Sequence, residues 1–517
     1  MKRLSFILLL IVFALSGFAE DLWFKPLIKS RVYESALQED APVSKKTWEE
    51  YLPISPYSSS ESPQIKLNRR DKVFRTPLDS RKIFVHSLRN YFTARQDSSM
   101  FLCYQPLSGF GELQVRILGG TEYMTGDTSE KEQSTSFVYY GGEVRMDCSS
   151  NFYLYARWWG GHHNEYLDYA EANSLHLDSF YKRRDTSINI DNIEGYAAWH
   201  NRLLGTVSLG RGKWTVGNSI SGNVILNDAC NEYGYFAWKY NLGSLTLGML
   251  NAVLIADSTN TDYSYKNYEE KGLALHRIGW HFSSTNEIFV GEEIIYNGRI
   301  LDPSYLMPHA FLRIAEHNLR DRDNVLIFAG WQVELKQHWL SYGNIAFDEL
   351  KKSELFGNWW GNKWAVQTGF GFHTSMMGDD FRIIGEFTAI RPWLYTHKAL
   401  PNKFSHDGMP LGYPKGSNLI DYTLEVNVPL GLGFILNSQG SYTRQGSVGN
   451  HFSINYETRP SENARWLDGE ITDTARARIM LDWRMLAHHT VKLGLQHVEI
   501  IDGESNTNLY LGWHTEY

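Results

Sequence analysis

The last nine residues set the tightest limit on what this chain can become. In the run Leu509-Tyr510-Leu511-Gly512-Trp513-His514-Thr515-Glu516-Tyr517, the residues Leu509, Leu511, Trp513, Thr515 and Tyr517 share one face of a strand. Asn508, Tyr510, Gly512, His514 and Glu516 share the other. This is period-2 alternation carried to the final residue. A greasy face opposite a polar one suits the closing strand of an outer-membrane barrel, with lipid outside and water inside. The rival reading is an edge strand of a soluble sandwich.

The links between apolar-polar segments separate the two readings. Walking back from Tyr517, tight and long links alternate. Tight links are expected at Ala487-His488-His489, Pro429-Leu430-Gly431, Ser375 to Asp380, Lys336-Gln337, Ser283-Ser284-Thr285, Asn241-Leu242-Gly243, Leu203-Leu204 and Cys148-Ser149-Ser150. Between them fall Gly446 to Thr474, Trp393 to Ser417, Asp348 to Asn362, Asn297 to Arg322, Asp257 to Lys271, Trp214 to Cys230, Gly161 to Asp191 and Thr121 to Thr135. Only the link near Ile501 to Asn506 breaks the contrast. Transmembrane barrels have short periplasmic turns and longer outer loops. A sandwich has no reason to sort its loops this way. The count predicts an all-β fold: a transmembrane antiparallel β-barrel of about 18 strands.

Face assignments agree. From Ala475 to Met485, Ala477, Ile479, Leu481, Trp483 and Met485 are expected to face lipid, and Arg476, Arg478, Asp482 and Arg484 the lumen. From Asn418 to Val428, Ile420, Tyr422, Leu424, Val426 and Val428 face out, and Asp421, Thr423, Glu425 and Asn427 face in. Phe381 to Arg391 and Gly272 to Phe282 alternate too poorly to assign.

The start of the chain reads as an export signal over 1–19: Lys2 and Arg3, an apolar run from Phe6 to Leu15, and a small-residue cleavage site at Gly17-Phe18-Ala19. Residues 20–80 hold Pro42, Pro53, Pro56, Pro63 and the run Ser58-Ser59-Ser60, and read as a periplasmic extension or plug. Residues 81–517 are the barrel. A net charge of −8 argues against a nucleic-acid partner. Three cysteines make no disulfide framework, and Cys103 and Cys148 pair only if their strands are adjacent.

The chemically unusual stretches lie in or beside the long links. They are Gly210-Arg211-Gly212-Lys213-Trp214 with Ser221-Gly222-Asn223, then Tyr296-Asn297-Gly298-Arg299, then Glu316-His317-Asn318 running on to Asn324. Asn362-Lys363-Trp364, Arg391-Pro392-Trp393-Leu394-Tyr395-Thr396-His397 and His406-Asp407-Gly408-Met409-Pro410-Leu411-Gly412 follow. As an ordered set, Gly210 to Asn418 resembles the capsule-assembly outer-membrane proteins of the Wzi family. That resemblance implies a barrel of about 18 strands, in agreement with the link count, and a lectin that holds capsular polysaccharide at the cell surface.

The expected polysaccharide-binding or outer-loop network is Arg211, Arg299, Glu316, His317, Asn318, Asp321, Asp323, Asn324, Arg391, Tyr395, His397 and His406. Trp359, Trp360, Trp393 and Tyr395 are candidate sugar platforms, because aromatic faces stack on sugars while planar Arg, Asp, Asn and His match hydroxyls. An outer aromatic girdle is the favoured reading for Trp359 and Trp360. The Glu316 to Asn324 run is read first as a network pinning a loop folded into the pore, with Arg320, Arg322 and Arg391 paired to its acids. Calcium-type ligands occur in Glu316, His317, Asp321 and Asp323, but without EF-hand or zinc spacing, so no metal or other cofactor is expected. No G-x-S-x-G or HExxH appears, and although His397 or His406 could act as a base nothing selects a serine, so a non-catalytic protein is expected. The expected partners are surface polysaccharide, outer-membrane lipids and the barrel-assembly machinery. The alternative function is a porin-like channel, and the discriminator is whether the lumen is blocked.

Overall fold

The computed structural model describes residues 103–516, apart from 108–110, 129–130, 150–151, 175–180, 202, 257–269, 284–285, 309–310, 321, 336–337, 350–356, 377–378 and 487–488. The expected signal over 1–19 and extension over 20–80 lie outside these residues, as does Asp321.

Among the described residues, eighteen long antiparallel strands, numbered β1 to β18 in chain order, form the ring, and each pairs with the next. β1 (Gly111–Thr128) also pairs with β18 (Ser505–Glu516), from Leu118↔Glu516 to Asp127↔Thr507, and this ladder closes the ring. Closure leaves no long row of unpaired backbone N–H and C=O groups to face lipid, which is what lets a sheet span a bilayer. A short strand, Cys103–Leu107, takes up the part of β1 that β18 leaves open. It lies on the opposite side of β1 from β2 (Lys131–Ser149), so the strands carrying Cys103 and Cys148 are not neighbours.

The tight links fall at 150–151, 202–204, 243–244, 282–286, 336–338, 377–378, 432–433 and 487–488, all at one end of the barrel. The long ones gather at the other end, which is therefore the outer end. Two details differ from the sequence reading. The expected loop from Thr121 to Thr135 is instead an unbroken ladder reaching Thr128↔Lys131, so β1 and β2 project beyond the rim. The turn expected at Pro429-Leu430-Gly431 lies at Leu432 and Gly433, whose φ angles of 53° and 81° are both positive. Both signs fit a two-residue primed hairpin turn, and a bulge between Pro429 and Gly431 accommodates the proline in the ladder.

The terminal strand behaves as its alternation requires: Leu509, Leu511 and Trp513 are exposed and outward, while Asn508, Tyr510 and His514 are buried inward. Tyr422 and Trp483 are likewise exposed, and Asp421, Thr423, Glu425, Asn427 and Arg478 are buried. The inner wall is thus polar and paired, for example Arg382 to Glu425 at 3.0 Å and Lys492 to Asp482 at 3.0 Å. Nearer the outer end a large apolar cluster fills the interior instead, built from inward wall residues such as Leu273, Leu275, Ile295 and Phe328 and from two outer loops.

Candidate functional site: a closed mouth with an outer shelf

The first of those loops is 213–232, between β5 (Gly205–Gly212) and β6 (Tyr233–Leu242). Its apolar residues Trp214, Val216, Val224, Ile225 and Leu226 are all buried, too many for a loop lying in water. It runs out and back, with Val216 N–H donating to the Leu226 carbonyl at 3.0 Å. Its tip, Asn218 to Gly222, docks on the far wall, eight strands away in a ring of eighteen. There Glu386 of β13 (Asp379–Ile390) accepts from Ile220 N–H at 2.9 Å, Ser221 N–H at 3.2 Å, the Ser219 hydroxyl at 3.2 Å and the Ser221 hydroxyl. Tyr342 and Gln367 donate to the same carboxylate, at 2.5 Å and 3.2 Å. Asn344 Nδ2 donates to the Asn218 carbonyl at 2.7 Å, and Gln439 Nε2 to that of Ile220 at 2.9 Å. The loop is a beam across the lumen. Glu386 lies four residues below the outer end of β13, about 13 Å along the strand.

Two glycines make the docking fit. Gly217 and Gly222 have φ of 90° and 100°, and a Cβ there would meet Asn344 Oδ1 at 2.0 Å and Pro414 Cδ at 2.4 Å.

The second loop is 391–418, between β13 and β14 (Leu419–Gly431). It roofs the beam. Tyr395 is buried and donates to the Val224 carbonyl at 2.7 Å, and Asn227 N–H donates to the Leu411 carbonyl at 2.8 Å. Tyr413 donates to Asp421 at 2.7 Å and to the Ser221 hydroxyl at 3.0 Å. Lys415 donates to Asp421 at 2.7 Å. His406 Nδ1 accepts from Ile255 N–H at 3.0 Å and its ring stands edge-on to Tyr233. Asn402 donates to the Arg322 carbonyl at 2.8 Å and accepts from Asn324 at 2.9 Å through its own carbonyl. Burial raises the Tyr395 hydroxyl above its ordinary range and pulls His397 down to about 4. The imidazole is thus neutral at pH 7, with Nδ1 accepting from Ala399 N–H at 3.1 Å.

Arg391 joins three loops. It donates to the carbonyls of Asn362 at 3.3 Å and Ala464 at 3.0 Å, and burial lowers its affinity for the proton despite Asp468. The segments it holds carry a half-buried aromatic shelf. Trp360 packs on Tyr456 at 5.0 Å between centroids and on Trp359 at 5.9 Å. The Arg459 guanidinium lies 4.1 Å from the Trp360 ring centre, Lys363 Nζ 4.8 Å from that of Tyr456, and Trp360 Nε1 donates to Glu462 at 2.9 Å. His397 stands edge-on to Tyr456 at 6.2 Å.

The loop 298–323, expected inside the pore, lies on the outside of the wall. Along β8 (Glu270–His281), β9 (Glu287–Asn297) and β10 (Asn324–Leu335), Ile278, Trp280, Ile288, Val290 and Ile327 are exposed to the lipid side. Ala274, His276, Ile294, Tyr296 and Val325 share that outward parity yet are buried, because the loop covers them. His276 Nε2 is 3.2 Å from the Tyr305 carbonyl, and Arg313 N–H donates to the outward Glu292 at 3.0 Å. Gly298, with φ of 70°, turns the chain outward at the top of β9. Arg299 pairs with Asp302 at 2.6 Å and Asp323 at 2.5 Å, and Tyr305 donates to Asp323 at 2.8 Å. Hydrogen bonds and the Arg299 charge hold Asp302 below the usual carboxylate range against the opposing effect of burial. Glu316 is buried and pairs with Arg313 at 3.0 Å. Asp323 and Glu316 therefore pair with Arg299 and Arg313; Arg320 and Arg322 are exposed, and Arg391 serves other loops.

The sequence-selected residues thus divide. Asn324, Tyr395, His397 and His406 belong to the roof inside the mouth, and Arg391 to the join beside the shelf. Arg299, Glu316 and Asp323 brace the outer flap, whose short helix α1 (Leu312–Asn318) exposes His317 and Asn318. Arg211 is exposed on the outward face of β5, beside Leu209, and is apart from all of them. Trp393 and Tyr395 are buried and present no platform. Trp359 and Trp360 pack with loop 447–470 rather than standing singly as a girdle does. Sequence reasoning missed Tyr456 and Arg459, which sit in a loop without any patterned segment, and the beam. For the beam a signal existed: Val216 and the run Val224-Ile225-Leu226 are too apolar for an exposed loop.

No family model matches the chain, and no curated protein does. Among solved structures, one match is Wzi, an outer membrane protein involved in group 1 capsule assembly in Escherichia coli, described as a carbohydrate-binding β-barrel. It has TM-score 0.49 and 11% identity, over 84% of this chain and 88% of that one. OccAB4 of Acinetobacter baumannii follows with TM-score 0.44 and 9% identity, over 79% and 99%. OccK7 of Pseudomonas aeruginosa has TM-score 0.42 and 10% identity, over 78% and 98%. Likeness at this level says nothing about ligand or partner, and what the geometry itself establishes is a closed barrel of outer-membrane type.

Proposed function

We propose that this chain is a non-catalytic outer-membrane protein that holds polysaccharide at the cell surface. The observation that carries the reading is the aromatic shelf of Trp359, Trp360 and Tyr456 with the Arg459 guanidinium against it, set on a mouth that two loops fill. Sugar rings present C–H faces that stack on aromatic rings and hydroxyls that accept from guanidinium groups. A packed apolar core across the lumen supports this binding role over passage of solutes. Arg391 and His397 order the shelf, and Arg299, Asp323 and Asn324 brace the loops beside it; His317, Asn318 and Arg211 lie apart from the shelf.

The test is binding of the full-length protein in detergent to polysaccharide extracted from the producing cells, beside the Trp360→Ala and Tyr456→Ala variants. Saturable binding weakened about two- to tenfold in each supports the reading, aromatic stacking being worth roughly 0.5–1.5 kcal/mol per pair beyond area. Absence of binding together with steady single-channel conductance would instead assign a channel, for which the charged inner wall below the beam, with Arg478, Asp482 and Lys492, supplies a lining.

A further inference from the structure

The flap 298–323 replaces one lipid-facing surface by another. Beneath it lie His276 and Glu292, two polar side chains on the outward face of the wall at membrane depth. Above them it turns a different face to the surroundings: Ile300, Leu301, Met307, Phe311 and Ile314 are all exposed, Phe311 at 64% and Ile314 at 61%. Phe311 immediately precedes α1 and Ile314 lies in its first turn; both are exposed, while Leu312 and Glu316 are buried. Five large apolar side chains on one short loop exceed what an aqueous surface normally carries. This face continues the exposed band of Ile278, Trp280, Ile288, Val290 and Ile327 directly below it.

Charge is sorted as well. Asp302, Glu316 and Asp323 are buried and paired, whereas His317, Arg320 and Arg322 are exposed, with Asp321 between the two arginines. Apolar side chains thus occur together with cations on the outer flank of the barrel.

We propose that the flap is a binding surface for a phosphorylated, multiply acylated lipid of the outer leaflet. Its acyl chains lie on Phe311, Ile314 and Met307, and a phosphate meets Arg320, Arg322 and His317. Cations near a membrane surface each add to the hold on anionic lipid, and apolar area adds to it independently.

Native mass spectrometry of the full-length barrel in detergent tests this, titrated with bis-phosphorylated hexa-acyl lipid A, with its dephosphorylated form, and with phosphatidylcholine. One tightly held lipid A is expected. Arg320→Ala/Arg322→Ala should lose about tenfold in affinity for the phosphorylated form and little for the dephosphorylated one. Phe311→Ser/Ile314→Ser should weaken both. These side chains are exposed, so the barrel should stay folded, checked by its heat-modifiable mobility. Equal binding by wild type and both double variants would overturn the proposal. So would a dimer of the wild type that Phe311→Ser/Ile314→Ser abolishes, since the face would then belong to a second copy.

Discussion

The backbone N–H of Ile220 donates to the Glu386 carboxylate at 2.9 Å, although the loop of one and the strand of the other spring from opposite walls of the barrel. One carboxylate thereby gathers donors from Ser219, Ile220, Ser221, Tyr342 and Gln367. Hydrogen bonds to a charged acceptor contribute about 1.5–3 kcal/mol each, and donors left buried without one cost a similar amount. Glu386→Ala should therefore release the beam while leaving the ring closed. The expected readout is ion conductance in a planar bilayer, absent or small for the wild type and steady for the variant. A variant as silent as the wild type would mean that the roof alone seals the mouth.

Gly222→Ala attacks the same joint without touching charge. The new Cβ meets the Pro414 ring at 2.4 Å, and the residue keeps a φ of 100° that side chains resist. A cost of about 1–3 kcal/mol is expected. Hydrogen exchange should rise across 213–232 and 411–418 together, because the clash lies between the two loops. Exchange rising in only one of them would show that they move separately.

His397 gives the roof a pH dependence. Its folded value is about 4, below the ordinary 6.5, so the unfolded loop binds the proton more readily than the folded one. The stabilisation is complete above pH 6.5 and is lost progressively as pH falls from 6.5 toward 4. Protease nicking within 391–418 should accelerate over that window, and His397→Asn should flatten the dependence.

Arg299→Ala strands Asp323, whose side chain is fully buried. Removing one partner of a buried pair typically costs about 3–5 kcal/mol. The loss should be local: faster proteolysis in 298–323, with unchanged insertion and an unchanged mouth. Arg299→Lys should restore only part of it, because a single ammonium cannot match the fork that spans Asp302 and Asp323.

Arg391→Ala should reduce polysaccharide retention without preventing insertion, since it removes the donor to the Asn362 and Ala464 carbonyls that hold the shelf segments. Tryptophan fluorescence reporting on Trp359 and Trp360 would check the cause: a changed spectrum accompanies a disordered shelf, and an unchanged one would place the effect elsewhere.

The ring and its outer end were legible in the sequence because each rests on local rules. Leu509, Leu511 and Trp513 obey a period of two, and turns of two to five residues fall on every second link. Phe381 to Arg391 and Gly272 to Phe282 resisted assignment for a reason the structure supplies. Leu273 and Leu275 of β8 and Ile390 at the outer end of β13 face the apolar core that the two loops build, so apolar residues interrupt the polar inward side at those points. Alternation reports only the contrast between a strand's two environments, and there the contrast fades. The direction taken by a loop is not encoded in any period. Loop 298–323, rich in charge, went outside, and loop 213–232, with its buried aliphatic run, went inside.

The wall from β8 to β10 is consequently a slab three layers thick, with plug on one side and flap on the other. Among the described residues, outward side chains elsewhere in the ring, such as Leu509, Leu511 and Trp513, are left to the bilayer. Near the outer end of these three strands the protein supplies both, as a soluble sandwich does. That sector owes its solvation to its own chain and should be the slowest to exchange and the last to loosen when lipid is stripped away. The rest of the ring can soften around a part that carries its own solvent.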